Sequence, residues 1–204
     1  MLVSIGFLKS ALLFISKEQT RYYLQGVHVE PEANGIRLVS TDGHRLFTAM
    51  QESDDPRGFE PFIIPGDAIK RALTGYKEAF IELDIQNRVL GNVSFTPIDG
   101  TFPNWRRIAP SKISGETAQL NPEYVADFGK IYKFLHGGGK SFGGMGVYIA
   151  HNGISPCVVT FGRDDCLALL MPMRSAVGET NEKAMDLVKA HFEPELKIEK
   201  KDAA

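Results

Sequence analysis

The sequence predicts an α+β fold assembled from three copies of one supersecondary unit, each consisting of a strand, a helix and three further strands. Hydrophobic residues change from alternating to helical spacing and back three times along the 204 residues. Asn34-Gly35 and Asp42-Gly43 separate strand-like segments of the first copy, and such dipeptides favour tight hairpin turns. The order recurs roughly every 50–60 residues. One unit cannot bury its helix alone, so we expect the copies to stack, with antiparallel sheets outside and helices inside.

The first two copies occupy the first hundred residues or so. The predicted elements of the first copy are a strand at 1–6, a helix at 7–19 and strands at 22–31, 35–41 and 44–50. Those of the second copy are a strand at 58–64, a helix at 65–76 and strands at 79–85, 88–93 and 93–100. Pro65 falls at or near the first position of its helix, where a missing amide hydrogen costs nothing.

The third copy begins after a predicted joint at 110–116. A strand at 116–120 leads to a helix at 121–135, which Asn121 can cap, with Pro122 at its first position and Glu123 in its first turn. Its predicted strands are 145–151, 155–161 and 166–173. The pattern stops after Arg174, and an amphipathic helix with a charged tail is expected beyond it.

Composition excludes several classes of protein. With 43% hydrophobic and 24% charged residues the chain is globular, and no apolar run approaches the ~18 residues that cross a bilayer. We therefore expect a cytoplasmic protein without a membrane partner. The net charge of −2 means that any binding of nucleic acid depends on where the basic residues cluster.

The two cysteines are expected to be free thiols. Cys157 and Cys166 lie on one predicted hairpin, and if Phe161 faces Cys166 then Cys157 lies opposite Leu170. Such an offset places the cysteines ~13 Å apart along the strand, which is too far for a disulfide. Two free thiols fit a reducing compartment.

Three motifs that suggest enzymatic chemistry fail on spacing or context. His28 and Glu30 supply half of a zinc deaminase signature, but Cys166 follows Cys157 by nine positions, where that signature requires three. The Gly-Lys-Ser at 139–141 ends like a phosphate-binding loop, yet Phe134 occupies the place of its first glycine. Asp42 and His44 flank a glycine between two strands, which favours a hairpin turn over a catalytic pair. We expect no catalytic residue, metal or cofactor.

Basic residues recur on all three predicted helices. They are Lys9, Lys17, Lys70, Arg71, Lys130 and Lys133, with Arg21 and Lys140 near the helix ends. An ordinary solvated helix face explains each helix taken singly. The recurrence favours a positive surface that holds duplex DNA through its phosphates without reading sequence.

Four long segments resemble one known family. They are "TRYYLQGVHVE", "RLVSTDGHRLF", "IDGTFPNWRRIAP" and "LLMPMR", spread over most of residues 1–175. They closely resemble the bacterial DNA polymerase III beta subunit, the sliding clamp. The resemblance implies the DNA-clamp fold, in which half-domains of this βαβββ type form a ring whose helices line a hole around duplex DNA.

The resemblance also predicts the domains and the assembly. Residues 1–112 resemble the complete middle domain of the family, 113–175 resemble the second half of its last domain, and 176–204 form an extension without counterpart, as expected of a shortened, phage- or prophage-type version. Rings of this family contain twelve half-domains. Three per chain therefore imply four copies, a homo-oligomeric tetramer that joins third unit to third unit and second unit to second unit. The same faces could instead leave an open dimer or bind a host clamp chain.

The resemblance further implies two sites. One is a hydrophobic pocket that binds short peptides of polymerases and other partners, formed here by Leu24, Thr41, Gly43, His44, Arg45, Leu46, Pro110, Met171, Pro172, Met173 and Arg174. The other is a DNA contact at Tyr22 and Tyr23, although a tyrosine pair could equally belong to the core, and Asp67 departs from the basic residue that the family often has at the start of the second helix. The chain is thus expected to be a non-enzymatic processivity factor, and a clamp loader is a further candidate partner. The alternative is a clamp-like module that sequesters clamp-binding partners, or binds a host clamp, without encircling DNA.

Overall fold

The three predicted units recur in the structure, a computed structural model that describes residues 1–53, 58–137, 146–174 and 181–192. The first unit contains a strand, a helix and three hairpin-linked strands. Their bounds are β1 Leu2–Ser4, α1 Ile5–Leu12, β2 Gly26–Glu32, β3 Gly35–Thr41 and β4 Arg45–Glu52. A 3₁₀ helix over Gln19–Leu24 connects α1 to β2.

The second unit follows the same order, and the third follows it without a leading strand. The second contains β5 Phe62–Pro65, α2 Gly66–Leu73, β6 Phe80–Asp84, β7 Val89–Leu90 and β8 Val93–Ser94. The third contains α3 Pro122–His136, β9 Tyr148–Ala150, β10 Cys157–Thr160 and β11 Cys166–Leu170. A further helix, α4 Asn181–Phe192, confirms the helix expected after Arg174, and its side chains from 183 to 191 are exposed.

The leading strands of the first two units are exchanged between their sheets. β1 of the first unit pairs with β6 of the second in a four-stranded antiparallel sheet of order β1-β6-β7-β8. β5 of the second unit pairs in turn with β2 of the first. In both ladders the residue just before the helix faces the first residue of the neighbouring strand, Ser4 opposite Phe80 and Pro65 opposite Gly26. Neither unit completes its sheet without the other.

The third unit is joined to the first by a strand ladder. β11 pairs antiparallel with β4, from Cys166 opposite Ala49 to Leu170 opposite Arg45. The result is a seven-stranded sheet of order β5-β2-β3-β4-β11-β10-β9. The first and third units therefore share one continuous sheet.

Alternation along these strands gives the sheet two different faces. One face, the helix side, sends Leu38, Phe47 and Ala168 into the main core beneath α1, α2 and α3. The rings of Phe14, Phe47, Phe128 and Phe161 lie in contact there, with centroids 5.9–6.5 Å apart. The opposite face, here called the outer face, carries a smaller cluster of Val39, Leu46 and Leu169. Phe102 and Trp105, from the segment between β8 and α3, pack over this second cluster.

Both cysteine predictions are confirmed. Cys157 lies opposite Leu170 in the β10–β11 ladder, and both thiols are free and buried. Burial raises the pKa of the Cys157 thiol, and burial beside Asp165 raises that of Cys166 to about 12. Thiols held in the protonated form are poor nucleophiles, so these two cysteines pack as small apolar groups.

The helix predictions are confirmed for α3 and shifted for the other two. The Asn121 side chain accepts a hydrogen bond from the Glu123 amide at 2.9 Å, and Pro122 is the first helical residue of α3. Pro65 ends β5 one residue before α2. α1 begins earlier than expected and ends at Leu12, because the next amides bond three residues back in a tightened turn.

Several predicted strand segments are not strands. Tyr22 and Tyr23 lie in the 3₁₀ helix before β2. The segment expected to continue β8 leaves the sheet after Ser94, and the Ile98 amide bonds to the Ile63 carbonyl of β5 instead. Residues 116–120 form no strand. In the first two units the leading strand completes the sheet of the neighbouring unit, and no fourth unit in the described chain offers an edge to residues 116–120.

A buried arginine connects the turn before β4 to two helices. The Arg45 side chain, 8% exposed, donates hydrogen bonds to the Asp42 carboxylate at 2.9 Å, the Asp127 carboxylate at 2.8 Å and the Leu13 carbonyl at 2.7 Å. Its guanidinium lies 4.7 Å from the centre of the Phe14 ring and 4.3 Å from that of Tyr124. Arg45 therefore holds α1, α3 and the strand junction together.

Candidate peptide pocket and nucleic-acid face

The stretch from Thr41 to Arg45 is a hydrogen-bonded turn. The Asp42 carboxylate accepts from the amides of His44 and Arg45 at 2.9 and 3.1 Å, and the Thr41 hydroxyl accepts from the Gly43 amide at 3.0 Å. Gly43 has a φ of 92°, and a Cβ there would lie 2.6 Å from a nitrogen of Arg21. Asp42 is thus bonded to backbone and Arg45, as expected of a turn and not of a catalytic pair.

The residues that follow β11 run beside this turn. The Met171 amide donates to the His44 carbonyl at 2.9 Å, and the Met173 amide donates to the Gln119 carbonyl at 2.8 Å. The side chains of Met171 and Met173 are 39% and 54% exposed. The turn and the two methionines therefore form one exposed rim, which we call the methionine rim: Gly43, His44, Met171 and Met173.

An apolar cavity of about 380 Å³ opens on the outer face across the β4–β11 ladder. Its walls come from both units and from the segment that crosses them. They include Leu46, Trp105, Pro110, Ile113, Val158 and Leu169. Leu46 and Leu169 are directly opposite each other in the ladder, and Met171 follows Leu169 by one alternation on the same face. The cavity is therefore adjacent to the methionine rim.

The segment between β8 and α3, which we call the crossing segment, is attached to the outer face by a polar cluster. The His28 ring stacks on Phe102 with centroids 4.6 Å apart, and His28 contacts Glu30 at 3.2 Å. Arg106 contacts Glu30 at 2.7 Å and Glu32 at 2.9 Å. Burial lowers the pKa of His28, and this effect outweighs the opposite influence of Glu30. His28 and Glu30 thus hold the wall that carries Trp105 and Pro110.

The residues predicted for the pocket fall into three groups. Leu46 and Pro110 line the cavity, and the methionine rim lies beside it. Pro172 and Arg174 belong to the rim segment, Pro172 half-buried and Arg174 exposed. Leu24 and Thr41 are buried, with Thr41 opposite Leu46 in the β3–β4 ladder on the outer face, and the Arg45 side chain bonds on the helix side, so it supports the wall from behind.

Sequence reasoning missed Trp105, Val158 and Leu169 as cavity residues. Val158 and Leu169 are outward positions of the predicted β10–β11 hairpin, and they face each other in its ladder. Their alternation was visible in the sequence. The pairing of β11 with β4, which brings them to Leu46, was not.

Most of the basic residues predicted to contact DNA lie on the opposite side, around α1, α2 and α3, but the Arg21 guanidinium lies beside Gly43 of the methionine rim. Exposed there are Lys17, Lys70, Arg71, Lys130 and Lys133, while Lys9 and Arg21 are half-exposed. Tyr22 is 52% exposed and packs edge-on against Tyr23, with ring centroids 5.8 Å apart. Lys140 lies outside the described residues.

Three of these cations are paired with acids one turn earlier. Lys70 contacts Asp67 at 3.1 Å, Lys130 contacts Asp127 at 2.6 Å and Arg21 contacts Glu18 at 3.2 Å. Within the described ranges, Lys9, Lys17, Arg71 and Lys133 form no ion pair. The positive potential of this side is therefore weaker than a count of its cations indicates.

Neither a metal cluster nor a spanning helix occurs among the residues that the structure describes. No group of three or more histidine, cysteine, aspartate and glutamate side chains there is arranged to hold a metal ion. Over the same residues, no helix has the length and apolar character to cross a membrane.

The architecture is that of DNA sliding clamps. The beta subunit of a Streptococcus pyogenes DNA polymerase superposes with a TM-score of 0.65 at 14% identity, covering 86% of this chain and 66% of that chain. The Caulobacter crescentus beta sliding clamp superposes with a TM-score of 0.62 at 19% identity, covering 86% and 65%. At such identities these structures show the fold alone, and they confirm the predicted α+β clamp fold.

Sequence similarity to the same proteins is concentrated in the first half of the chain. Residues 8–104 match the model of the central domain of the DNA polymerase III beta subunit. The beta sliding clamp of Caulobacter vibrioides is 36% identical over 109 residues, and that of Proteus mirabilis 31% over 112 residues. Nearly half of the chain is therefore similar to the central domain of the DNA polymerase III beta subunit.

The similarity covers only part of these relatives. The chain spans 29% of the Caulobacter vibrioides protein and 30% of the Proteus mirabilis protein. The beta sliding clamp of Vibrio cholerae is 27% identical over 157 residues, which are 73% of this chain and 42% of that protein.

Acidification is expected to release the crossing segment. Because the pKa of His28 is lowered when the segment is attached, the detached state binds a proton more readily. The stabilisation of the attached state by neutral His28 is therefore fully present above the ordinary histidine pKa of about 6.5. It is lost as the pH falls through the lower pKa that His28 has in the attached state. Trp105, the single tryptophan of the chain, reports this as a red shift of its emission. The variant His28→Gln should show no such transition; an identical transition in that variant would contradict the assignment.

Proposed function

We propose that the protein is a DNA sliding clamp, a processivity factor that encircles duplex DNA as an oligomeric ring and recruits a polymerase through the outer-face cavity. The observation that carries this proposal is the two-sided β4–β11 junction. An apolar cavity opens across it on the outer face, and the helices with their basic residues cover the other. A molecule of this kind holds a partner on one side and DNA on the other.

The cavity suits the apolar side chains of a short linear peptide. Its walls are mainly aliphatic and aromatic, and the adjoining Met171 and Met173 can adapt to partners of different shape. The amides of Gly43 and His44 and the His44 carbonyl are already bonded within the protein, so the exposed Gly43 carbonyl and His44 ring are the groups of this turn that can bond to a peptide. Arg45 acts here as support for the wall, since its donors are already bonded inside the protein.

Replacing both rim methionines should weaken peptide binding without affecting assembly. For Met171→Ala/Met173→Ala we expect a loss of affinity of about tenfold or more for a clamp-binding peptide of a DNA polymerase, because the rim loses two large apolar contacts. Fluorescence anisotropy measures the affinity, and light scattering measures the assembly. Met185→Ala removes an equally exposed methionine from α4 and should leave the affinity unchanged. Equal losses in the two variants would argue against the pocket.

The helix side is proposed to face the DNA. Lys17, Arg71 and Lys133 are exposed without an ion pair in the described residues, and such groups hold phosphates without reading sequence. Partial neutralisation by Asp67, Asp127 and Glu18 favours weak contacts. Weak, sequence-independent contacts allow a ring to slide, because topology and not affinity retains it on the duplex.

The ring is proposed to contain four chains. Twelve half-domains complete a ring in this family, and each chain contributes three. An odd number of half-domains inverts each successive chain, so the junctions join third unit to third unit and second unit to second unit, as in a dihedral assembly. The proposed site of action is the bacterial cytoplasm, or that of a host cell, with a clamp loader as a further partner.

Topology distinguishes a ring from a simple DNA binder. Chains dissociated by dilution and reassembled around nicked circular duplex should remain with the DNA during gel filtration in moderate salt, and should be lost when the circle is cut. A ring is retained by its closure, so no loader is needed for this test. Equal retention before and after cutting would contradict encirclement.

The second candidate is a clamp-like module that binds clamp partners, or a host clamp, without encircling DNA. The ion pairs on the helix side favour it, because they reduce the charge available for phosphates. Such a module should bind the polymerase peptide and show no retention on circular DNA. Both functions predict peptide binding, so the retention on circular DNA separates them.

A further inference from the structure

The exchange of leading strands is the device that joins the first two units. β1 completes the sheet of the second unit and β5 completes that of the first. Each exchanged strand places an apolar residue opposite another at the centre of the ladder, Val3 opposite Ile81 and Ile64 opposite Val27. All four side chains are fully buried.

An exchanged strand is also bonded at its second edge to its own unit. The Ile63 carbonyl of β5 accepts from the Ile98 amide, just beyond the last strand of the second unit. Ile63 lies three residues before Gly66, the first residue of α2. This carbonyl therefore fixes one edge of β5 against its own unit, while the other edge of β5 pairs with β2.

The third unit contains the same parts in the same positions. The Gln119 carbonyl accepts from the Met173 amide at 2.8 Å, just beyond β11, the last strand of that unit. Gln119 lies three residues before Pro122, the first residue of α3. We call residues 117–121 the leader. The leader is bonded to its own unit at the position where β5 is bonded to its unit, although it forms no strand ladder in the described chain.

The edge that a leader would join is open. β9 is the last strand of the seven-stranded sheet, and its pairing within the described residues is with β10 alone. Residues 147–151 of this edge and residues 117–121 of the leader contain no charged residue and no proline. Natural sheets commonly protect a free edge with such residues, so an edge without them is suited to pairing with another strand.

The apolar residues on both sides of this vacant position are incompletely buried. Leu120 of the leader and Val147 and Ile149 at the β9 edge are half-buried and pack at the margin of the main core. In the first two units the corresponding positions of leader and edge are fully buried, as at Val3 and Ile81. The third unit therefore has the incomplete core of a unit without its neighbour.

We propose that two copies of this chain exchange leaders, so that residues 117–121 of each chain pair antiparallel with β9 of the other. The third units of the two chains then reproduce the interlocked body that the first two units form within one chain. The contact is self-complementary under a two-fold axis. Leu120 enters the partner's core beside Val147 and Ile149, and Gln119 lies on the outer side near Tyr148 and Ala150.

The exchange requires little rearrangement of the leader. The bond from the Ala118 amide to the His151 ring within one chain, at 3.2 Å, is replaced by a backbone bond to the partner. The bond of Gln119 to Met173 is kept, as its equivalent is kept in β5. This inference rests on the assembly proposed above and specifies the structure of its junction between third units.

Disulfide trapping between differently mass-tagged chains tests the exchange. In one mixture, chains with Gln119→Cys are combined with chains that carry Ala150→Cys; in a second, they are combined with chains that carry Tyr148→Cys. Both partners are used because Tyr148 and Ala150 are neighbouring outward positions of β9, and both lie near Gln119 in the proposed ladder. Paired residues on adjacent antiparallel strands have the spacing that a disulfide needs. The buried Cys157 and Cys166 remain in place. We expect one of the mixtures to give on the order of tenfold more mixed disulfide dimer than the control, because pairing raises the local thiol concentration.

The control mixture combines Gln119→Cys with Ser94→Cys, which places a thiol on β8, an edge residue of similar exposure in the other sheet. Light scattering of the wild-type chain is run in parallel. Assembly without enriched cross-linking in either mixture would overturn the exchange and leave the proposed ring standing. A wild-type chain that stays monomeric at all accessible concentrations would overturn both.

Discussion

The pairing of β4 with β11, held from behind by Arg45, is the constraint on which the rest of the structure depends. The ladder fixes the third unit to the first over five residue pairs. Arg45 is itself in this ladder, opposite Leu170, and its side chain reaches α1 and α3 at the same time. A buried guanidinium is tolerated only when its partners satisfy it, so the arrangement of Asp42, Asp127 and the Leu13 carbonyl specifies one relative position of the two units.

Two surfaces follow from this single junction. On the outer face, the ladder brings Leu46 opposite Leu169 and so creates the floor of the apolar cavity. On the helix side, Asp127 bonds to both Arg45 and Lys130, so the residue that holds the junction also neutralises a cation of α3. Burial alone would raise the pKa of Asp127, but the hydrogen bonds from Lys130 and Arg45 outweigh it and lower that pKa. The same carboxylate therefore stays charged and serves both roles.

Local patterns in the sequence predicted much of the fold. The Asn121 cap, the turns at Gly35 and Gly43 and the register of Cys157 opposite Leu170 all depend on residues close in sequence, and each occurs as expected. The strand exchange and the β4–β11 ladder join segments that are far apart in the sequence. The alternation of hydrophobic residues predicts which face of a strand is buried, but it does not predict which strand lies beside it. Leu46 and Pro110 were predicted from the resemblance to the clamp family, whereas Trp105, Val158 and Leu169, which the β4–β11 ladder brings to the cavity, were missed. The segment 116–120 was predicted as a strand because its pattern matches one, but a strand requires a neighbouring edge.

The most direct test of this account measures whether the first and third units unfold as one body. Hydrogen–deuterium exchange is measured at neutral pH, under conditions where opening and closing are fast compared with the chemical exchange of an open amide. The exchange rates then give the opening free energy of individual amides in β4 and β11. If the ladder and Arg45 make one rigid junction, the most protected amides of the two strands exchange with the same free energy, equal to that of global unfolding. Protection in β11 well below that of β4, by more than about 2 kcal/mol, would show that the third unit opens on its own and would contradict the account.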